Sequence, residues 1–280
     1  MLYLILAIAS SALVSIFMRT TEKYVRNNMV MFTANYAICL MLSLLHMRDT
    51  RFFTYENGIE LAVILGIISG FLYLVGFVLL QKNIHHNGVV LSSAAMKLGS
   101  VMIPVLVAIL LFHEHMGWLQ LLGIIISILA IIFMNLSNGE VSKERKNYWL
   151  IILLLGSGIT DTMANIYDET GTEALKNHYL FYTFLAALLT AFVMALVKKQ
   201  KVTLADLGSG LLIGIPNYYS ARFLLLSLGK VPAVITYPVY SVGTIIVTSV
   251  VGILIFSEKL SIQKKLALIL ILAALVLLNI

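Results

Sequence analysis

Apolar runs of 18 or more residues recur along this 280-residue chain, and each is long enough to cross a hydrocarbon core of ~30 Å as a helix. Lipid offers no water to the backbone, so such runs must be helical. Ten spans are expected, at residues 2–18, 29–46, 59–81, 88–112, 117–136, 148–166, 178–197, 204–227, 232–256 and 262–280. The chain therefore reads as an all-α polytopic membrane protein. Composition agrees: 60% of residues are apolar, only 11% are charged, and mean hydropathy is +0.98, whereas a soluble domain carries about a quarter charged residues. The N-terminal "MLYLILAIASSAL" has no basic n-region and is expected to be the first span rather than a cleaved signal.

A net charge of +6 would suggest nucleic acid in a soluble protein. Here most Lys and Arg lie in short loops, where they act as topology signals, and no nucleic-acid partner is expected. The lone Cys39 cannot form an intrachain disulfide.

The segment "LSNGEVSKERKN" divides the chain into similar halves. Shifting the first by 144 residues lays "LLFHEHMGW" on "LIFSEKLSI", Glu114 on Glu258, Gly70 on Gly214 and Asn135 on Asn279. Two five-helix repeats are expected, at 1–136 and 148–280, joined by a linker at 137–147. Five is odd, so the second repeat enters the membrane inverted. Inverted repeats with a site at their interface mark transporter architectures. Loops 1, 3, 5, 7 and 9 carry thirteen Lys and Arg, against four in the even loops. The positive-inside rule then puts the odd loops in the cytoplasm and both termini outside.

All six histidines fall at expected helix ends or in loops. "HEH" at 113–115 is read as interfacial rather than as a metal site, since its repeat mate is "SEK". No zinc-protease, nucleophile-elbow or phosphate-loop pattern occurs. No cofactor is implied, and an intramembrane enzyme or scaffold is the remote alternative. The "GSG" triplets at 156–158 and 208–210 are read as close helix-packing sites.

Ionisable groups within spans are more informative, because each is costly in hydrocarbon and faces a cavity or a partner. Lys97 falls near the midplane. Asp161 and Arg222 lie nearer one face, as coupling or ion-pair and substrate candidates respectively. Within "PAVITYPVYSVG", Tyr237 and Tyr240 are spaced i,i+3 on one helix face, with Ser241 beside them and Pro238 able to free a backbone acceptor. Asn217 and Tyr218 lie slightly deeper than Arg222. Together these residues are expected to line a cavity that tapers from one face to the centre.

The stretch "GKVPAVITYPVYSVGTIIVTSVVGILIFSEKLSIQKKLALILILAALVLLNI" resembles the last two helices of EamA-type members of the drug/metabolite transporter superfamily. It is also similar to the final helices of small multidrug resistance exporters, and "LLFHEHMGW" is a weaker copy. The resemblance implies that Tyr237 and Tyr240 contact substrate. The exporters' first-helix glutamate is absent from "AIASSALVS" and "LLGSGITD", and Asp161 falls about a turn later. The family's usual orientation has cytoplasmic termini, opposite to the charge count.

The function expected is secondary transport, as exporter or exchanger, of a small polar or anionic metabolite such as an amino acid. Lys97 and Arg222 would bind its anionic group, Tyr218, Tyr237 and Tyr240 would stack on it, and Asn217 and Ser241 would donate hydrogen bonds. The alternative is export of amphipathic cations with Asp161 as counter-ion. Expected partners are the substrate, the lipid bilayer of a bacterial cytoplasmic membrane, and a coupling proton or counter-substrate. The apolar fifth and tenth spans suit lipid contact and homodimerisation equally.

The charge count is open to direct test. In a Cys39→Ala background, single cysteines near Lys143 and Lys199 should be shielded from an impermeant thiol reagent in intact cells, and one near Glu173 should react. The reverse pattern would establish cytoplasmic termini.

Overall fold

A computed structural model describes residues 2–47, 58–111, 148–228, 233–258 and 262–278, with positions 117–119, 121–123, 125, 126 and 129 between them. The 137–147 linker, the "HEH" triplet with Glu114, Asn135, Asn279 and most of the expected fifth span lie outside the described residues.

Among the described residues the chain is helical, without strands. Helix α1 spans Leu2–Thr21 and α2 spans Asn28–His46. The run Ile59–Leu111 is broken at Gly88 and so forms two helices, α3 (59–87) and α4 (89–111). Then follow α5 (Tyr148–Thr170), a 3₁₀ turn at Glu173–Leu175, α6 (Lys176–Val197), α7 (Leu204–Leu228), α8 (Ala233–Leu254) and α9 (Ile262–Leu278). Leu2–Thr21, Asn28–His46, Glu173–Val197 and the run Ile59–Ile103 are long and apolar enough to cross a membrane.

Sequence patterning suggests a polar connection over 82–87, but α3 stays helical to residue 87 and the chain reverses at one residue. Gly88 has φ +83° and ψ 170°, a conformation open to glycine at little cost. Glu258, from the loop after α8, completes the break. Its carboxylate accepts N–H bonds from Val89 at 2.7 Å and Val90 at 3.3 Å. A carboxylate here satisfies two of the orphan donors of the α4 N-terminus and complements its partial positive charge.

Helix directions follow from the contacts. Gly99 of α4 faces Leu154 and Ser157 of α5, and Gly158 faces Ile103, so these helices are parallel. Asn83 of α3 donates to the Trp149 carbonyl at 2.9 Å, while Leu79 lies against Gly156, so α3 runs antiparallel to α5. Glycines allow close approach at two further parallel contacts. A Cβ on Gly70 of α3 would lie 2.3 Å from the Thr183 carbonyl oxygen of α6, and one on Gly210 of α7 would lie 2.2 Å from that of Met31 in α2. Gly66 and Gly214 extend the same seams, to Tyr179 and Asn35 respectively.

The bundle is apolar outside, and polar groups are set among the apolar side chains of its interior. Ile64, Ile67 and Phe71 of α3, Leu189 and Val193 of α6, and Val250 of α8 are exposed. Asn35, Ser69, Asn83, Thr183, Asn217 and Thr248 are buried. Buried hydroxyls bond back to carbonyls four residues earlier, as Ser100 does to Met96, Thr183 to Tyr179 and Thr248 to Thr244.

The end of the bundle that carries the basic odd loops is closed by polar contacts between helices. Lys82 Nζ sits 3.4 Å above the Trp149 ring. Gln81 donates to Asn28 at 3.1 Å. Glu22 pairs with Arg19 at 2.6 Å and with His85. The Asp206 carboxylate accepts from the backbone of Arg26 at 2.8 Å and of Asn27 at 3.1 Å. These bonds tie α1, α2, α3, α5 and α7 together at one face.

Two outcomes test this packing. Gly99→Ala puts a Cβ 1.9 Å from the Leu154 carbonyl oxygen and should cost about 1–3 kcal/mol. Gly208, with nothing within 4 Å, should accept alanine neutrally or with a gain of up to ~1 kcal/mol. Equal melting temperatures for the two detergent-solubilised variants would contradict the α4–α5 contact. Glu258→Ala should cost about 1 kcal/mol and speed amide exchange at Val89 and Val90; unchanged exchange there would rule out the cap.

Candidate functional site

The interior opens around Lys97 into a cavity of about 90 Å³, walled by α1, α3, α4, α5, α7 and α8. Lys97 is the ninth residue of α4, which puts it roughly 13.5 Å from the Gly88 break at 1.5 Å per residue. Its side chain is buried, at 5% exposure. The ammonium lies 3.8 Å above the Tyr240 ring of α8. Among the described residues it has no hydrogen-bond or ion-pair partner. A cation over an aromatic face gains up to about 2 kcal/mol when desolvated, but the ring does not satisfy three N–H donors. A buried ammonium is costly without such partners, and Lys97 presents its donors to the cavity.

The other walls are held in place by their own bonds. Tyr240 packs with Leu4 and Ala7, and its hydroxyl shares a 2.9 Å hydrogen bond with Ser220 of α7. Thr244, one turn on, donates to the Tyr240 carbonyl at 2.7 Å. Asp161 of α5 also lines the cavity, close enough to feel the charge of Lys97 and the hydroxyl of Ser100. Asn217 is fixed by long contacts from Nδ2 to Asn35 Oδ1 at 3.4 Å and Cys39 Sγ at 3.5 Å. The buried Ser93 hydroxyl, one turn before Lys97, has no protein partner among the described residues and lines the cavity.

From this centre two further pockets lead toward the face opposite the polar closure. A pocket of about 40 Å³ shares Tyr73, Asp161, Ala221 and Leu224 with the cavity. It shares Leu180 and Leu225 with an outer pocket of about 240 Å³, lined by Glu173, Lys176, Asn177 and Arg222. Asp161 therefore stands between Lys97 and the mouth.

The structure brings Lys97, Asp161, Asn217 and Tyr240 to one cavity and separates them from the other candidates. Tyr218 is fully buried off the cavity wall, its ring 5.5 Å from His46, 5.9 Å from Phe184 and 5.4 Å from Tyr219. Its hydroxyl accepts from Arg222 Nη1 at 3.2 Å. Arg222 lines the outer pocket, so it does not share a site with Lys97. Ser241 is buried beside Tyr240 but is not part of the cavity wall. Tyr237 lies in α8, and its side chain is outside the described residues. Helical geometry explains this division: Asn217, Ser220, Ala221 and Leu224 fall on one face at i, i+3, i+4 and i+7, whereas Tyr218 and Arg222, also i,i+4, pair on another.

Sequence reasoning overlooked Ser11, Ser15, Tyr73, Ser93 and Thr160 on the cavity wall. Ser11 with Ser15 and Ser93 with Lys97 repeat at i,i+4, a polar stripe on an otherwise apolar helix that could have marked them.

Comparison with known proteins fits this architecture. A solved crystal structure superposes with a TM-score of 0.64, covering 99% of this chain and 94% of its own at 8% identity. That likeness concerns the fold alone. An uncharacterized protein of Haemophilus influenzae is 25% identical over 192 residues, which cover 66% of this chain and 64% of the relative, a little under two thirds of its length. With its apolar helices this is an integral membrane protein. Residues 1–136 match the EamA-like transporter family, consistent with the drug/metabolite transporter superfamily that the C-terminal stretch resembles.

Proposed function

We propose that the protein is a secondary transporter of a small polar metabolite bearing a carboxylate, such as an amino acid, working by alternating access between two inverted five-helix repeats. The observation that carries this reading is Lys97: a buried ammonium over an aromatic ring, without a hydrogen-bond or ion-pair partner among the described residues, facing a cavity it shares with Asp161. An incoming carboxylate would accept the hydrogen bonds that the ring cannot. Tyr240 would contact its organic part, and Asn217 and Ser93 would hydrogen-bond to its polar atoms. Asp161 would either carry a coupling proton or hold a cationic group of the substrate.

Ten spans in two repeats are supported by the glycine seams. The 144-residue shift takes Gly66 and Gly70 to Gly210 and Gly214. In one seam the third helix of the first repeat runs parallel to the second helix of the other, and the second seam repeats this with the roles exchanged. Parallel pairing of a second with a third helix is what inversion demands. The family match also stops at residue 136, where the first repeat was expected to end. On the charge count the polar-closed face is cytoplasmic, and the pockets lead outward. A bacterial cytoplasmic membrane and a homodimer through the fifth and tenth spans remain part of the proposal.

A second reading, export of organic cations, is favoured by Asp161, Tyr73 and Tyr240 lining one cavity. Lys97→Met separates the two. Carboxylate binding to the purified protein should fall at least tenfold, in line with loss of a charged hydrogen bond worth about 1.5–3 kcal/mol, while binding of an organic cation should hold or improve. A folded Lys97→Met protein that binds every carboxylate as wild type does would end the anionic reading. For coupling, Asp161→Asn should abolish uptake driven by a pH gradient in proteoliposomes yet preserve equilibrium exchange. Intact gradient-driven flux would remove the proton role.

A further inference from the structure

The outer pocket contains chemistry that the central site does not use. Arg222 Nη1 donates to Asn177 Oδ1 at 3.1 Å and to the Tyr218 hydroxyl at 3.2 Å. Tyr218 is itself immobilised, buried among His46, Phe184 and Tyr219. Both bonds are made by one terminal nitrogen, so they set the plane of the guanidinium. Its Nε and Nη2 have no protein partner among the described residues. These two nitrogens form the guanidinium edge that accepts a carboxylate through two parallel N–H bonds. Among the described residues, Lys176 and Glu173 line the same pocket.

A long basic side chain near a helix end could simply reach for water. Arg222 departs from that pattern, because it is held by two side chains, one of them buried, inside a pocket of about 240 Å³. The central cavity measures roughly 90 Å³. The intermediate pocket beside Asp161 links the two.

We propose that Arg222, oriented by Asn177 and Tyr218, is a first-contact site in the outer pocket that binds the carboxylate of a small solute before it reaches Lys97. The proposal rests on the transport reading for its purpose and on the outer pocket alone for its chemistry. Arg222 is a binding residue in its own right, and it competes with Lys97 for the same group in sequence along the path. Tyr218 and Asn177 are positioning residues that act through the guanidinium.

The test reads the outer pocket without needing the natural substrate. Leu226, which lines it, is replaced by cysteine in the Cys39→Ala background, and the purified protein is kept in detergent so that both faces are accessible. Two thiol reagents of similar size are compared, the anionic sulfonatoethyl and the cationic trimethylammonioethyl methanethiosulfonates, each normalised to a free thiol. The anionic reagent should be favoured about tenfold, the lower end of electrostatic focusing in a charged cleft. Sodium malonate, at fixed ionic strength, should slow the reaction saturably.

Arg222→Gln should remove both the preference and the protection. Arg222→Lys keeps the charge without the fork, and should retain the preference while losing most of the protection. Asn177→Ala should weaken protection and leave the charge preference intact. Melting curves of each variant establish that it is folded. An absent anionic preference in the parent, or malonate protection that survives in folded Arg222→Gln, overturns the proposal. Lys97→Met provides the separation from the central reading. Protection at Leu226→Cys should be unchanged in it, so a failed carboxylate site at Lys97 and a failed one at Arg222 give different results.

Discussion

Lipid supplies no hydrogen bonds and little dielectric screening, and this single constraint organises the bundle. Every polar group must find a partner within its own helix, across a helix contact or in an internal cavity. Hydroxyls take the first route, bonding back to carbonyls four residues earlier, as in Ser100, Thr183 and Thr244. Asn83 and Asn217 take the second. Lys97 has no such protein partner among the described residues and faces the cavity. The same constraint explains the glycines. Without a hydrophobic force between helices, association depends on close van der Waals contact, and Gly70, Gly99 and Gly210 let backbones meet where a methyl group would not fit.

The register of α4 controls what Lys97 can do. Gly88 ends α3 and Glu258 caps the next helix, so the rotation of α4 is set by a carboxylate from far along the chain. One turn in from that cap is Ser93, and one turn further is Lys97, both on the cavity face. On the facing side Tyr240 is aligned by Ser220. The site is therefore supported by helix ends at the closed face and by aromatic packing at the centre. Past Asp161 the pockets continue to Glu173, Asn177 and Arg222.

Much of the fold was legible because the controlling term is composition over long windows. Apolar runs mark α1, α2 and α6 directly, and the ionisable residues Lys97 and Asp161 stand out because a charge within an apolar run demands a reason. The break between α3 and α4 was not placed correctly. A polar stretch such as "KNIHHN" usually reads as a loop, yet its side chains here find partners at the closed face: Asn83 with Trp149 and His85 with Glu22. Tertiary contacts outweigh local propensity at that point. The small cavity residues were passed over because a single serine in a membrane helix does not separate back-bonding from lining a cavity; only the i,i+4 pairing of Ser11 with Ser15 and of Ser93 with Lys97 marks them.

The sequence by itself determined that this is a helical membrane protein, and it marked Lys97, Asp161 and Arg222 as charges within apolar runs. Depth can be counted along one helix at 1.5 Å per residue, so these positions needed no partner to be noticed. Which of them share a site was decided by the tertiary structure. Tyr218 and Asn217 differ by one residue and about 100° of rotation, and that angle sends one to Arg222 and the other to the cavity of Lys97. Rotation about a helix axis is settled by what the neighbouring helices offer, here a glycine seam against α2 and an aromatic cluster around His46. That information lies in contacts between distant segments, which no single span carries.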